Sequence, residues 1–404
     1  MEMKVIQCIL FFFLIGSLAN KADDYDVQSI IGIGASGSVY LVKNRRNNQR
    51  YAMKKISKNY VHENNLYVQI QNERDILASN RSPYTLRLYE SFYDDTYLYL
   101  ITPYKAGGDL MNLIITYDIF SEDIARFYIA EILLGLEDLH RRGITSRDLK
   151  FENILIDSEG HCVLADYGLA ATDFIYPDDY FKELIESDKF KNQRRLSVQV
   201  QSRPNTRRPG LGGHKRSQTM VPTLSQAAVK SKVSHQRTFR SKFGTLTYAS
   251  FHLFTGKGYT SACDLWSLGI ILFEATFGFP PFQGETDAQI LRNLMAFKGK
   301  LEIPEFIDQN TRPTAILVDL IHKLVCFQDS ASSIQEIKQH PFFQKIDWAN
   351  LRHQTPPFVP DDKNDGLEYF PIQELEKEKA NNLKLEVPNL HQDAAFRNFP
   401  YVNF

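Results

Sequence analysis

Two acidic residues, Asp148 and Asp166, lie eighteen residues apart, with Lys150 and Asn153 between them. A carboxylate can accept the proton of an attacking hydroxyl, and carboxylate and amide oxygens are ligands that suit Mg²⁺. A nearby lysine can steady a phosphate group. Phosphoryl transfer requires these groups and little covalent chemistry from the protein itself. The stretch therefore predicts a site for that reaction.

A glycine-rich stretch lies upstream, with Gly32, Gly34 and Gly37 in a GxGxxG pattern. Because glycines have no side chain, backbone amides can close over phosphates there. Dinucleotide-binding folds use the same pattern but run from the strand directly into a helix. Here Val39 and Tyr40 continue a second strand. Taken alone, the pattern also fits a glycine-rich hairpin that binds nothing.

The first part of the chain has the pattern of a small antiparallel sheet. Period-two runs predict strands at 25–34, 37–44, 50–57, 84–95 and 96–104. Residues 64–79 have helical spacing instead, with Leu66, Ile70 and Leu77 on one face.

The pattern turns mostly helical from Asp109 onward. Ser121 is a predicted N-cap for a helix that runs to about His140. The apolar run at 263–278 predicts a helix in the centre of a helical lobe. A sheet lobe followed by a helical lobe predicts an α+β fold.

The composition is typical of a globular enzyme. The chain has 404 residues, of which 43% are hydrophobic and 24% charged, with a net charge of −1. The cysteines Cys8, Cys162, Cys263 and Cys326 have no CxxC spacing. They indicate reduced thiols rather than a disulfide framework or a cysteine metal site.

Residues 189–242 interrupt the helical pattern. These 54 positions hold fourteen Lys or Arg and no Asp or Glu. They are rich in Ser, Gln, Pro and Gly, a composition that favours disorder. The rest of the chain has 33 basic against 48 acidic residues. We therefore predict an acidic body with a basic insert.

The N-terminal segment, residues 1–24, contains Lys4, then an apolar run, and then small residues near Ala19. This pattern resembles a secretory signal peptide, and the run is short for a transmembrane helix. However, the first predicted strand begins at Tyr25, almost at the expected cleavage point. Two alternatives therefore stay open: the start of the chain is incorrectly assigned, or the segment is a helix that packs on the body. We expect no integral membrane span.

These motifs resemble the protein kinase superfamily. Kinases carry a GxGxxGxV loop, a VAIK strand, an HRDLKxxN loop and a DFG loop. The corresponding stretches here are GIGASGSV, YAMK, SRDLKFEN and DYG. The runs YAMKKISK, NERDIL, AGGDL, TPPFVP and FRNFPYVNF are similar to AGC-type serine/threonine kinases, nearest the RSK/MSK group. The resemblance covers about residues 25–404 apart from the insert.

The resemblance implies a role for each residue of the first motif. Asp148 would be the catalytic base and Lys150 would steady the γ-phosphate. Asn153 and Asp166 would coordinate Mg²⁺. Arg147 would contact a phosphate on the activation segment.

ATP is the implied nucleotide. Lys54 would contact its α- and β-phosphates, and Glu73 would pair with Lys54. The alternative is that these two residues form an ordinary ion pair on the protein surface. The implied ATP-binding residues are Ile31, Gly32, Ile33, Gly34, Ala35, Ser36, Gly37, Ser38, Val39, Ala52, Lys54, Thr102, Tyr104 and Leu155. Phe370 would approach Tyr104 from the C-terminal tail.

Protein substrates with basic residues before the target Ser or Thr are implied as partners. Asp109 and Glu152 fall where AGC kinases use carboxylates to bind such residues, and charge-assisted hydrogen bonds are the physical reason. Ordinary solvated surface acids are the alternative.

Several positions depart from the family pattern. Ser146 replaces a His or Tyr, and Tyr167 replaces a Phe; in the family these stack with residues matching Leu77 and Leu88. A smaller side chain at 146 removes packing area, at a cost of about 1–3 kcal/mol. In the stretch GTLTYASFH, His252 replaces a Glu that pairs with a buried Arg.

His322 stands at the position of the arginine that would pair with that glutamate. In the tail, Pro400 replaces the usual Ser or Thr between aromatic residues, so phosphorylation cannot occur there. We therefore expect Phe396 and Phe399 to dock on the sheet lobe without it.

The insert lies inside the activation segment, and Ser241 stands where AGC kinases carry their activating phosphate. An upstream kinase acting on Ser241 is therefore implied, with an unmodified serine as the alternative. The insert could occupy the acidic groove near Asp109 in cis. It could instead bind nucleic acid or acidic lipid, or be a nuclear-import signal. We expect no nucleic acid partner, because interleaved aromatics are missing.

These observations predict a bilobal kinase domain at 25–343, with an N-lobe at 25–104, a C-lobe at 105–343 and a C-terminal tail at 344–404. The expected function is ATP- and Mg²⁺-dependent phosphorylation of Ser or Thr in intracellular signalling. An ATP-binding pseudokinase scaffold is the alternative. We expect a cytoplasmic location, with the nucleus, or secretory entry through residues 1–19, as alternatives.

Overall fold

The structure is a computed structural model that describes residues 22–34, 36–170, 244–250, 260–304, 313–325, 333–361, 366–381 and 399–402. The chain divides into two units, one formed by Met1–Tyr176 with Thr245–Phe404 and the other by Pro177–Gly244. Apart from Gly244, every described residue belongs to the first unit. The predictions for residues 1–21, Ala35 and the insert 189–242 lie outside the described residues.

The main sheet is antiparallel throughout, in the order β1-β2-β3-β5-β4-β8. Its strands are β1 (Tyr25–Gly34), β2 (Gly37–Asn44), β3 (Arg50–Ser57), β4 (Glu90–Tyr93), β5 (Tyr97–Pro103) and β8 (Tyr401–Val402). The first three strands have the predicted bounds. The predicted run at 84–95 forms a strand only in its second half, because Leu86 and Leu88 donate to the carbonyls of Leu164 and Leu77 instead.

A second, two-stranded sheet separates Asn153 from Asp166. It pairs β6 (Ile154–Ile156) with β7 (Cys162–Leu164) in antiparallel register. Directly after this hairpin, the Ala165 amide donates to the Asn153 carbonyl at 2.9 Å. The hairpin thus explains how residues far apart in sequence come side by side.

Nine α-helices lie within the described residues. They are α1 (Lys58–Glu63), α2 (Tyr67–Ser79), α3 (Leu110–Tyr117), α4 (Glu122–Arg141), α5 (Ala262–Phe277), α6 (Asp287–Met295), α7 (Ala315–Leu324), α8 (Ile334–Lys338) and α9 (Ile372–Asn381). The predicted N-cap of α4 is confirmed, since the Ser121 side chain accepts a hydrogen bond from the Ile124 amide. Helix α2 starts three residues later than its predicted start at 64.

One large hydrophobic core connects the sheet to the helices. It includes Ile56 of β3, Leu77 of α2, Leu133 of α4 and Trp266 of α5. Helix α5 is buried from Cys263 to its last residue, as its apolar sequence predicts. The predicted α+β fold, a sheet lobe followed by a helical lobe, is therefore confirmed.

The C-terminal segment lies on this body. Gly366 has φ +70°, and a Cβ atom there would come within 2.1 Å of the Ala106 carbonyl oxygen, so only glycine fits this close approach. The rings of Phe370 and Tyr104 stack with their centroids 5.9 Å apart, as predicted. This contact holds the tail beside the chain that follows β5.

One finding bears on secretory entry of the chain, since the triplet Asn80-Arg81-Ser82 matches an N-glycosylation sequon. Asn80 of the sequon Asn80-Arg81-Ser82 is 0% exposed and donates through Nδ2 to the Leu86 carbonyl. A glycan therefore cannot be attached to the folded chain at this asparagine. Within the described ranges, no helix is long and apolar enough to span a membrane.

Candidate active site

The glycine-rich turn joins β1 to β2, with Gly34 paired to Gly37. A Cβ atom on Gly37 would lie 1.8 Å from the Lys55 carbonyl oxygen, so the fold itself requires this glycine. Cβ atoms on Gly32 and Gly34 would meet nothing closer than 3.5 Å and 3.7 Å. Packing does not explain these two glycines, whereas a ligand lying against the backbone would.

Lys54 of β3 contacts two acidic residues. Its Nζ lies 2.6 Å from Glu73 Oε1 on α2 and 3.5 Å from Asp166 Oδ1. Burial alone would lower the pKa of Lys54, but Asp166 and Glu73 outweigh it and raise that pKa. The lysine is therefore fixed as a cation between the sheet, the helix and the loop that carries Asp166.

The pKa values of the two carboxylates shift in opposite directions. Glu73 is 2% exposed, and burial raises its pKa although Lys54 pulls it down. The Lys54 ammonium lowers the pKa of Asp166, which stays ionised. Asp166 is 47% exposed although many protein atoms surround it, so it faces a cleft.

Asp148 is buried beside the same cleft. Its Oδ2 accepts hydrogen bonds from Lys150 Nζ at 2.7 Å and Asn153 Nδ2 at 2.9 Å. Its Oδ1 is also buried and has no partner among the described residues. Burial raises the pKa of Asp148 despite the nearby lysine. A carboxylate with one free oxygen and a raised pKa is suited to accept a proton.

Asp264 of α5 holds the backbone of this loop. Its carboxylate accepts the amides of Ser146 and Arg147, both at 2.8 Å, and lies 2.8 Å from His140 Nε2. Arg147 has φ +65°, an uncommon conformation for a non-glycine residue. The carboxylate therefore stabilises a backbone that would not persist alone. No pattern in the sequence pointed to His140 as a residue of this site.

Three of the predicted ATP-binding residues, Val39, Ala52 and Thr102, share one face of the main sheet with Lys54. Val39 pairs with Lys54, and Ala52 pairs with Thr102. Directly paired residues, and residues two apart on a strand, project to the same side. Leu155 lies on β6, and its backbone forms a bridge with Asp109.

The other described ATP-binding candidates lie on the strands of the main sheet or directly beside them. Ile31 and Ile33 lie at the end of β1, Ser36 in the turn, Ser38 in β2, and Tyr104 directly after β5.

The protein kinase domain family matches this chain at residues 25–186 and 227–343, which is more than half of its length. The chain belongs to the protein kinase family. The predicted membership of the AGC type agrees with the relatives described next.

Three of the curated relatives of this chain are fungal kinases. The serine/threonine-protein kinase CBK1 of Debaryomyces hansenii is 34% identical over 95% of the chain and 55% of its own length. CBK1 of Saccharomyces cerevisiae is 35% identical over 88% and 47%. The kinase cot-1 of Neurospora crassa is 31% identical over 95% and 64%.

The chain spans about half the length of the first two of these relatives. All of them belong to the NDR/LATS branch of the AGC group. This branch, rather than the RSK/MSK group, is the one that the comparisons support.

The two carboxylates expected to bind basic substrates are not freely solvated. Asp109 caps α3, where its Oδ1 accepts the Asn112 amide at 2.8 Å. Burial, followed by the charge of Glu152, raises the pKa of Asp109 to about 7. The two acids are therefore close enough to interact, and one of them titrates near neutral pH.

The kinase tail reaches the sheet through Phe399, which is 0% exposed. Strand β8 follows it and pairs Tyr401 with Ser91 of β4. The prediction that Phe399 docks on the sheet lobe is confirmed, whereas Phe396 lies outside the described residues.

Other predictions on this kinase also fall outside the described residues. Ser241 and His252 are among them. His322 is described, and its Nε2 lies 3.2 Å from the Leu301 carbonyl oxygen. The expected exchange of a Glu–Arg pair for two histidines therefore stays a prediction.

Proposed function

We propose that this chain is an ATP- and Mg²⁺-dependent kinase that phosphorylates Ser or Thr in protein substrates during signalling. The observation that carries the proposal is the double contact of Lys54 with Glu73 and Asp166. In active kinases, the pairing of this lysine with the helix glutamate and the position of the metal-binding aspartate must both be in place. The Lys54–Glu73 pair is formed here, and Asp166 lies beside it where it would hold the ion, which supports the proposal.

The residues present fit a magnesium ion. The Nδ2 group of Asn153 donates to the backbone carbonyl and to Oδ2 of Asp148, which leaves its Oδ1 as an acceptor. Asp166 is ionised and half-exposed. Mg²⁺ is usually bound by one or two such oxygens together with substrate phosphates and water. When bound, the ion would neutralise charge on the phosphates.

Each group of the chain then has a defined task. The Asp148 Oδ1 atom would accept the hydrogen bond of the substrate hydroxyl and orient it. Lys150, which is already hydrogen-bonded to Asp148, would steady the transferred phosphate. Lys54 would hold the other phosphates, since Glu73 and Asp166 keep it charged and in place.

Basic residues in the substrate are expected to bind Asp109 and Glu152. What supports this is the mutual influence of the two carboxylates, since the charge of Glu152 raises the pKa of Asp109. A guanidinium between two such groups relieves their repulsion and forms charge-assisted hydrogen bonds.

The proposal includes the domain bounds predicted from the sequence, namely a kinase domain at 25–343 and a tail at 344–404. It also includes a cytoplasmic location and an upstream kinase that acts on Ser241. Arg147 would receive that phosphate.

A transfer assay tests the function directly. The wild type, Asp148→Ala and the surface control Asp26→Ala are incubated with radiolabelled ATP, Mg²⁺ and a basic peptide that carries one Ser. We expect the Asp148 variant to lose about 10²- to 10⁴-fold of the rate, the usual contribution of a general base. The Asp26 control should keep the wild-type rate.

Two results would contradict the proposal. Transfer by Asp148→Ala at the wild-type rate would exclude this aspartate as the base. Absence of transfer by the wild type, with Mg²⁺-dependent ATP binding intact, would favour the pseudokinase scaffold.

A further inference from the structure

The tyrosine that follows Asp166 makes a hydrogen bond that a phenylalanine could not. Tyr167 is 1% exposed, and its hydroxyl donates to the Leu164 carbonyl at 2.7 Å. Burial is the largest influence on the phenol and raises its pKa, so the hydroxyl keeps its proton and stays a donor. Its ring belongs to the same core as Leu77 and Leu88.

The Leu164 carbonyl joins several segments. It also accepts the Leu86 amide at 2.8 Å. Leu86 lies in the connection that follows α2, the helix that carries Glu73. In that connection, Asn80 Nδ2 donates to the Leu86 carbonyl at 2.6 Å, and Arg142 Nη2 donates to Asn80 Oδ1 at 2.5 Å. The hydroxyl of Tyr167 is therefore bonded into a network that reaches the end of α4.

Asp166 needs such support. Its φ of +57° lies in the left-handed region, which non-glycine residues adopt when neighbours hold them there. On the cleft side, Lys54 lies 3.5 Å from Asp166 Oδ1, and the Gly168 amide donates to the same atom at 3.2 Å. On the core side, the next residue is fixed by the Tyr167 hydroxyl.

We propose that the Tyr167 hydroxyl is a positioning group that holds the backbone of the metal loop so that Asp166 faces the nucleotide phosphates. This inference rests on the proposed kinase function. It extends that function by assigning a role to a hydroxyl that the family phenylalanine does not have. The consequence is a higher affinity for the nucleotide bound to Mg²⁺ than the same loop would have without the bond.

Tyr167→Phe tests the inference because it removes one oxygen and keeps the ring. The Leu164 carbonyl keeps its bond to Leu86, so no buried backbone group loses its last partner. Tyr99→Phe is a matched control. Tyr99 is also buried, and its hydroxyl donates to Asp94 Oδ2 at 2.6 Å, but its ring belongs to the aromatic cluster that also contains Tyr25, Tyr51 and Phe92 rather than to the main core.

Three measurements are made on the full chain. Calorimetry gives the affinity for ADP with Mg²⁺ and with EDTA, thermal unfolding gives stability, and hydrogen exchange reports on residues 164–168. For Tyr167→Phe we expect ADP with Mg²⁺ to bind about three- to tenfold more weakly, the range for one lost buried hydrogen bond. Binding of ADP without metal should stay unchanged, and the amides of residues 164–168 should exchange faster without ligand.

Tyr99→Phe should lower the melting temperature without changing either affinity. The inference is overturned if Tyr167→Phe weakens ADP equally with and without Mg²⁺, or if neither its affinity nor its exchange changes. Failure of the wild type to gain affinity with Mg²⁺ would instead contradict the proposed kinase function.

Discussion

The Ser91 hydroxyl donates a hydrogen bond to the backbone carbonyl of Phe399 at 2.6 Å, across 308 residues of chain. The next tail residues continue this contact as a strand, with Val402 paired to Glu90. Pro400 lies between Phe399 and that strand and offers no hydroxyl for a phosphate. The tail is thus bound to the sheet through its own backbone and one buried ring.

Replacing this ring should weaken both the fold and the catalytic centre. Phe399 belongs to the same core as Ile70 and Leu77 of α2, the helix that carries Glu73. We expect Phe399→Ala to cost about 3–5 kcal/mol of unfolding free energy and to reduce kcat/KM. Val359→Ala, at a side chain that is 54% exposed, should change neither. Unaltered stability of Phe399→Ala in denaturant titration would show that the tail contact is dispensable.

The glycine-rich turn allows stability to be separated from binding. Gly37→Ala would place a Cβ atom 1.8 Å from the Lys55 carbonyl oxygen, so the β2–β3 pair must shift. We expect a clear drop in melting temperature for this variant. A Cβ atom on Gly34 would meet nothing closer than the Gly37 carbonyl oxygen at 3.7 Å. Gly34→Ala should therefore keep the melting temperature but raise the KM for ATP several-fold, because a methyl group would crowd the phosphates. Equal melting temperatures of the two variants would contradict this assignment.

Local patterns in the sequence were enough to predict the bounds of β1, β2 and β3, the N-cap Ser121 and the order of the catalytic groups. These features depend on periodicity and short motifs, which a single segment carries by itself. The hydrogen bonds between Ser91 and Phe399 and between His140 and Asp264 join distant segments. No local pattern records such pairings, so they required the structure.

The surroundings of Asp109 are another feature that the sequence alone could not predict. The sequence predicted a carboxylate for basic substrates and left a solvated surface acid as the alternative. The structure instead has it as the cap of α3, with burial raising its pKa to about 7. Burial is a property of the assembled fold, so spacing alone could not give this value.

The raised pKa makes substrate binding depend on pH. Below pH 7 the Asp109 carboxyl is mostly protonated and neutral, and above it the carboxylate can bind a guanidinium. The KM for an arginine-containing peptide should therefore fall several-fold as the pH rises from about 6 to 8. Asp109→Asn keeps a residue that can cap the helix and should remove this dependence.

A peptide without arginine is the control for effects of pH on the rest of the site. Its KM should be the same for the wild type and for Asp109→Asn at every pH. A wild-type KM for the arginine peptide that does not change with pH would rule out titration of Asp109 in this range.

The pairing of Lys54 with Glu73 makes a prediction about stability as well as activity. Among the described residues, Lys54 is the hydrogen-bond partner of the Glu73 carboxylate, whose Oε2 is buried without one. Lys54→Met would leave a buried charge unpaired, which costs about 3–5 kcal/mol. The pKa of Glu73 is already raised by burial and would rise further without the lysine. Lowering the pH below 7 should then favour the protonated form of Glu73 and recover part of the lost stability.

The double variant Lys54→Met with Glu73→Gln separates the two effects. Its uncharged amide removes the penalty of an unpaired buried carboxylate, so its unfolding free energy at pH 7 should exceed that of Lys54→Met. Phosphate transfer should be lost in both variants, because neither has the lysine that would hold the α- and β-phosphates. Denaturant titrations at pH 5 and 7 measure this directly. If the double variant is no more stable than Lys54→Met at pH 7, the buried charge of Glu73 is not what the lysine stabilises.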